Sequence, residues 1–457
     1  MRRFCLALTL LLAGFGVSAQ NEDSLMIRRI ADEILVNGKA YENLRVLTKK
    51  IGQRLTASPG MYKAEAWGLK AMKEAGADSA WLQRCMVPHW IRGGKDEAKY
   101  FPDRSQKSFS LDVLALGNSN GTGPKGLTAP VVLINNFDEL EARKNDVKGK
   151  IVFYNYKFNP KFVRTFQAYG DAVRYRGQGP SRAARYGAAG VLVRSMTHAA
   201  DNHPHTGGMN YNDSFPKIPA LAVGIQDADK LAAAIQQSND VRLFIRSNAK
   251  MLPDTIGHNV IGEIIGSEFP DEIITIGGHL DSWDPAEGAH DDGAGCVHSI
   301  EVLRVLKAIG YKPKRTIRAV LFANEENGLR GGNKYAEEAK AKNEKHIFAL
   351  ESDAGGFTPR AFGFTMPKEK LQKVRQWLPL FVPYGVHELN EGGGGADIGP
   401  LNRTLGTPVA GLVPDSQRYF DIHHARSDVF EAVNKRELEL GAINMAALIY
   451  LIDKYGL

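Results

Sequence analysis

Cysteine is scarce. The chain of 457 residues carries three. Cys5 falls in a leader-like segment, which leaves Cys85 and Cys296, too few for a disulfide framework. Cys296 stands in an apolar stretch and reads as a small buried side chain, not a nucleophile. Blocks of one charge are missing too. The formal net charge is +7, but lysines and arginines are scattered, so the clustered basic footprint of a nucleic-acid-binding surface is excluded. Neither internal repeats nor low-complexity tracts occur. The apolar run Phe4–Leu12 is too short for a comfortable bilayer span, so no stable membrane anchor is expected.

That run belongs to "MRRFCLALTLLLAGFGVSAQ". Arg2 and Arg3 give a charged start, and Val17-Ser18-Ala19 supplies small residues for cleavage. The expectation is a signal peptide over 1–19, cut near Ala19, and an exported protein, periplasmic or secreted. Removing Arg2 and Arg3 lowers the formal charge from +7 to +5. No cysteine closely follows the apolar run, so no lipid-attachment site is expected. The whole chain is 43% apolar and 24% charged. That suffices for two or three domains, or one large core with an insertion.

Residues 22–74 have apolar positions at three- and four-residue steps, a helical pattern ending at Gly76. Irregular, strand-like sequence follows to about Gly123. A different unit spans 125–248: "APVVLINN" and "GKIVFYNY" read as strands, "SRAARYGAAGVLVRS" as helix, turn and buried strand, and "IPALAVGIQDADKLAAAI" as a strand leading into a helix. From Asn259 strands and helices alternate, the pattern of a doubly wound α/β sheet. The expected organisation is a first part of a catalytic domain over 20–124, an inserted α/β domain over 125–248, and the main catalytic part over 249–457.

Ligands collect at the carboxyl ends of strands in such sheets, and the acids and histidines of this half lie there. "GGHLDSWD" follows "EIITI", "GAHDDGAG" leads into a helix, "FANEENG" follows "RAVLF", and "LESDAGG" follows "HIFA". A late segment, "FDIHHARSD", adds two histidines. Imidazoles and carboxylates suit zinc and similar divalent ions. Five such ligands, one carboxylate bridging, suit two metals about 3.5–4 Å apart. Each piece alone has a plainer reading: "DDGAG" as a helix-capping turn, "EEN" as a solvated helix entry, His423-His424 as a surface pair. Their joint appearance at strand ends favours a metal centre. His290, Asp292 and Asp284 receive no role.

These segments resemble the co-catalytic di-zinc exopeptidases, the family of carboxypeptidase Q, bacterial leucyl aminopeptidases and glutamate carboxypeptidase, with most likeness to the carboxypeptidase Q branch. The family order is His-x-Asp, an Asp before a small-residue turn, a Glu-Glu pair, an Asp and a late His. The resemblance implies a mixed doubly wound sheet with an inserted protease-associated-like domain. It also implies that His279 and Asp353 hold one zinc, Glu326 and His424 the other, and that Asp291 bridges both. Asp281 would stand behind His279 and orient its ring through the other nitrogen. Glu325 would be the general base and acid. Relatives carry a Tyr before the late His that helps bind the oxyanion; here that place is His423, a substrate-binding candidate. Asp397 in "EGGGGADIGPL" is a second candidate for meeting a substrate terminus. "DNHPHTGG", with His203 and His205, reads as a loop without metal.

The implied activity is hydrolysis of short peptides, dipeptides first, with two Zn2+ as cofactors and a homodimer as a possible assembly. An aminopeptidase uses the same metal centre and differs in the peptide terminus recognised. A single-zinc glutaminyl cyclase shares a related fold, but does not need both His279 and Asp353. A non-catalytic binding module is disfavoured because every ligand position and Glu325 are present.

Overall fold

The structure, a computed structural model, describes residues 21–457; the expected leader lies outside them. Among the described residues no helix is long and apolar enough to cross a membrane. The helical pattern over 22–74 resolves into a helix over 21–37, a short one at Ala40–Arg45 running into a looser turn at Val46–Ile51, and a third at Pro59–Glu74. The third starts at Ser58 because its hydroxyl accepts from the Met61 N–H at 3.2 Å and Pro59 needs no donor at the first helical position.

Eight strands form the larger sheet: β1 (Ser79–Ile91), β2 (Lys250–Ile264), β3 (Phe269–His279), β4 (Arg315–Phe322), β5 (Lys345–Glu351), β6 (Pro359–Thr365), β7 (Glu388–Glu391) and β8 (Val409–Pro414). Their spatial order is β1-β2-β4-β3-β5-β8-β6-β7. The central β4, β3, β5 and β8 are parallel, and β1, β2 and β6 enter antiparallel. Central parallel strands are covered on both faces, which is why they read as continuous apolar runs. Ile274, Ile276, Ile317 and Leu321 pack against helices 21–37, Pro59–Glu74, Ala294–Ala308 and Lys435–Tyr455. On the opposite face Val320 and Phe322 pack with Tyr335, Ala336 and Ala339 of helix Arg330–Ala341. This is a doubly wound mixed α/β sheet. The chain leaves β3 for β4 on one side and β5 on the other, so the C-terminal end of β3 opens a crevice.

A second sheet of eight strands runs in the order Phe109–Leu111, Glu97–Phe101, Arg242–Arg246, Leu127–Ile134, Ile151–Tyr154, Gly190–Arg194, Ala220–Val223, Val113–Ala115. Both edge strands, and Glu97–Phe101 beside one of them, come from the irregular stretch before residue 125, so this sheet draws on residues ahead of the boundary the sequence suggests. Helix Thr165–Gly177 and the loop over 205–208 reach from this layer to the crevice: the Thr206 N–H donates to the His424 carbonyl at 3.1 Å.

Candidate metal centre and cleft

His279 is the last residue of β3. Its Nδ1 donates to the Asp281 carbonyl oxygen at 3.0 Å, which turns Nε2 outward. That Nε2 lies 3.2 Å from Asp291 Oδ1 and 3.5 Å from Asp353 Oδ1. On the far side of Asp291, His424 Nε2 lies 3.2 Å from Oδ2 and 3.0 Å from Glu326 Oε2. The two oxygens of Asp291 therefore face different histidines, each paired with a further acid. Ligand atoms of His279, Asp291 and Glu326 fall within 4.8 Å of one another. Asp291 Oδ2 and Glu326 Oε1 are buried with no hydrogen-bond partner. Buried polar atoms without partners are costly, and these point at a shared cation. The set of donors, imidazole nitrogens and carboxylate oxygens, fits zinc.

Asp281 serves both His279 and the Glu-Glu turn. Its carboxylate is 3.7 Å from His279 Nδ1, and the ring is held by its backbone carbonyl instead. The carboxylate accepts from the Thr56 hydroxyl at 2.9 Å, from the Glu325 N–H at 3.0 Å and from the Glu326 N–H at 3.3 Å. Both backbone donors of the Glu-Glu turn are thus pinned by one side chain. This lets adjacent glutamates part ways: Glu326 meets His424, while Glu325 faces the cleft. Asn324 and Leu329 bracket the turn in the left-handed region, at φ 64° and 55°.

Asp292 can join His279 and Asp353 in a ligand group, but its oxygens accept from the His279 N–H at 3.0 Å and the Gly295 N–H at 2.9 Å. It ties the loop to β3. Asp428 holds the backbone of His290 and Asp291, at 2.8 and 3.1 Å. Arg54 donates to the carbonyls of Leu280, Glu287 and Gly288 at 2.7, 2.6 and 2.9 Å. Cys296 is a buried thiol that donates to the His279 carbonyl at 3.0 Å. Sequence spacing gave no sign of Arg54, Thr56 or Asp428, because each acts on a loop distant in the chain.

The electrostatics follow from the crowding. Burial favours the neutral imidazole, yet Asp281, Asp291 and Asp353 hold His279 well above the usual histidine range. Burial likewise opposes charge on His424, and Glu326 and Asp291 overcome it. The acids demand positive charge between them, which protons or divalent cations both answer. Burial pushes the Glu325 carboxyl well up, and Asp353, Glu326 and Asp281 add to this against the pull of His279.

A cleft of roughly 500 Å³ opens on this centre, lined by Asp291, Glu325, Glu326, Asp353, His423 and His424 from the larger sheet. The opposite wall is Phe166, Tyr169, Arg176, Gly208 and Asn210. His423 stacks on His424 with ring centroids 3.5 Å apart, and its Nε2 is 3.5 Å from Asp291 Oδ2. Burial, then the neighbouring His424, keeps it neutral. Asp397 does not reach the cleft: it is 1% exposed, and the wall at that point is Ala396. The turn into helix Gly399–Leu405 carries it inward instead, because Glu351 accepts from the Asp397 and Ile398 N–H groups at 3.4 and 2.9 Å. The segment with His203 and His205 is a loop whose Thr206 carbonyl accepts from His424 Nδ1 at 3.2 Å.

Residues 259–449 match the sequence profile of Peptidase family M28. Carboxypeptidase Q of Mus musculus is 34% identical over 414 residues, 91% of this chain and 85% of the relative. The Homo sapiens protein of that name is 33% identical over 423 residues, 92% and 87%. Among solved structures, a Peptidase M28 precursor from Shewanella amazonensis SB2B superposes with a TM-score of 0.89 at 32% identity, covering 95% of this chain and 97% of that one. A zinc aminopeptidase from Bacillus subtilis shares the fold, with a TM-score of 0.63 at 20% identity over 90% and 94% of the two chains.

Proposed function

This chain belongs to peptidase family M28 and is a metal-dependent peptidase, and from that premise we propose that it is an exported di-zinc exopeptidase cleaving short peptides, dipeptides foremost. The observation that carries the proposal is Asp291, whose two carboxylate oxygens face His279 and His424 at 3.2 Å each. A shared acid between two histidine-acid pairs is what two neighbouring cations require. In this reading His279 and Asp353 would hold one zinc, Glu326 and His424 the other, and Asp291 would serve both. When bound, the pair acidifies water and polarises the scissile carbonyl. Glu325, whose carboxylate faces the cleft and has no hydrogen-bond partner among the described residues, takes a proton from the attacking water and returns one to the leaving amine. Its elevated proton affinity suits the return step. The neutral His423 ring and Tyr419 beside it are donors for the oxygen that gains charge. Asp281 keeps both glutamates aimed by holding their backbone. The likeness to proteins named carboxypeptidase Q supports an exopeptidase reading of the cleft.

Replacing Glu325 by Gln tests the assignment. Turnover of a dipeptide panel is expected to fall by about 10²–10⁴-fold, with zinc measured by atomic emission still near two per chain. Unchanged turnover would remove Glu325 from the chemistry, and a single firmly bound zinc would overturn the paired centre.

A further inference from the structure

Arg176 is 6% exposed, yet it lines the cleft. The other deeply buried arginines are satisfied. Arg318 ends on Glu263 and Glu344, Arg194 on Asp229 and Asn155, and Arg54 on backbone carbonyls. Arg176 has no ion pair among the described residues. Its Nη1 donates to the Thr206 carbonyl at 3.2 Å and sits 3.4 Å from His424 Nδ1. Its Nη2 donates to the Tyr169 hydroxyl at 2.6 Å. Its Nε is buried with no partner. A guanidinium withdrawn from water without a counter-charge is strongly unfavourable. Here it also stands beside a centre that gathers cations, which adds to the cost.

Granted the peptidase reading of this cleft, on which the step rests, we infer that Arg176 is the anchor for a carboxylate of the substrate. A planar guanidinium with donors to spare matches a carboxylate in two parallel hydrogen bonds. Tyr169 accepts from Arg176, so its own hydroxyl hydrogen is free to donate to the same anion. Asn210 adds an exposed amide on that wall. Distance sets the length of the ligand. The guanidinium is one imidazole ring away from the metal-facing nitrogen of His424, and one residue spans about 3.5 Å. A single residue beyond the scissile bond therefore brings its terminal carboxylate to Arg176. The residue lies on the smaller sheet's layer, in helix Thr165–Gly177, so that layer reads the peptide's end while the larger sheet carries the hydrolysis. The same chemistry is offered by an acidic side chain at that position, and the test separates the two sources.

The experiment uses the zinc-loaded full chain and three substrates: Ala-Leu as free acid, Ala-Leu amide and Ala-Glu amide. For the wild-type protein kcat/KM on the free acid is expected to exceed that on Ala-Leu amide by about 30-fold or more, the loss typical of a buried charge pair. In Arg176→Met that ratio is expected to collapse to near one, and Arg176→Lys to recover it in part, since a point charge replaces the fork. If Ala-Glu amide matches the free acid and loses its advantage in Arg176→Met, the carboxylate recognised is a side chain and the anchor stands. Equal rates on all three substrates with the wild-type protein would overturn the anchor. That outcome needs no variant to fold and leaves the peptidase reading intact. Failure to cleave any unblocked dipeptide, with two zinc ions bound, would instead sink the peptidase reading itself.

Discussion

At position 207 a Cβ would lie 2.4 Å from Arg176 Cζ and 2.6 Å from His424 Nδ1, and the backbone φ is +133°. Only glycine fits where the loop of the smaller sheet passes beneath the arginine and the histidine. Gly207→Ala is therefore expected to cost about 1–3 kcal/mol of stability through backbone strain. It should also lower zinc occupancy by displacing His424. Thermal melts and metal content, measured together, check this; a variant with normal stability and full zinc would contradict the tight approach. Residues of this kind were invisible in the sequence. His279, Asp291, Glu326, Asp353 and His424 announced themselves by chemical type near strand ends, and the structure gathers them around Asp291, with all but the buried His279 lining one cleft. Nothing in the sequence singles out Arg176, because its neighbour His424 is 248 positions away. Asp397 misled for the opposite reason: a glycine-rich loop reads as exposed, but Glu351 captures its backbone from below.

Among the elements, the loop over 280–288 depends on one side chain. Arg54 gathers carbonyls from both of its ends, Leu280 at one and Glu287 and Gly288 at the other. Arg54→Met leaves each of them unpaired at about 1–3 kcal/mol. Urea unfolding is expected to show a loss of several kcal/mol, and the activity of the folded fraction should fall as Asp291 loses its setting. A shift within 0.5 kcal/mol, the size usual for surface substitutions, would show that the clamp is dispensable. The central strands were legible because burial on both faces demands unbroken apolar runs such as "EIITI". The region of Glu97–Phe101, Phe109–Leu111 and Val113–Ala115 read as strand-like but irregular, since strands this short carry too few residues for a period to register. The helical pattern over 22–74 was right in kind and wrong in continuity: Gly38 and the Gly52–Ser58 stretch interrupt it.

Over the whole molecule, stability should depend on protons and on metal. His298 lies in the core with Nε2 donating to the Leu438 carbonyl at 2.9 Å and Nδ1 accepting from the Ser352 hydroxyl at 3.0 Å. Burial pushes its pKa down to about 4 from 6.5. The unfolded chain takes up this proton first, so stability is intact above about pH 6.5 and falls as pH drops toward 4. The loss is on the order of 3 kcal/mol in total. Urea titrations at pH 7, 5.5 and 4.5 on wild type and His298→Gln should diverge in slope by up to one proton; parallel curves would refute the assignment. Chelation offers a second handle. A cation that binds only the folded chain at 100 times its Kd stabilises it by about 2.7 kcal/mol. Stripping metal with a chelator should lower the melting temperature, and zinc should restore it more fully than magnesium, because imidazole ligands disfavour the harder ion. An unchanged melt after verified zinc removal would separate the centre from the fold's stability.

The Thr206 carbonyl that steadies His424 comes from the smaller sheet, and so does the Asn118 amide that donates to the Asn327 carbonyl at 3.2 Å. Neither layer is a free-standing cassette. Any exchange of that layer between relatives, by evolution or in a chimera, has to transplant the 205–208 loop and position 118 along with it. Otherwise the recipient inherits an intact ligand list with one histidine left to swing.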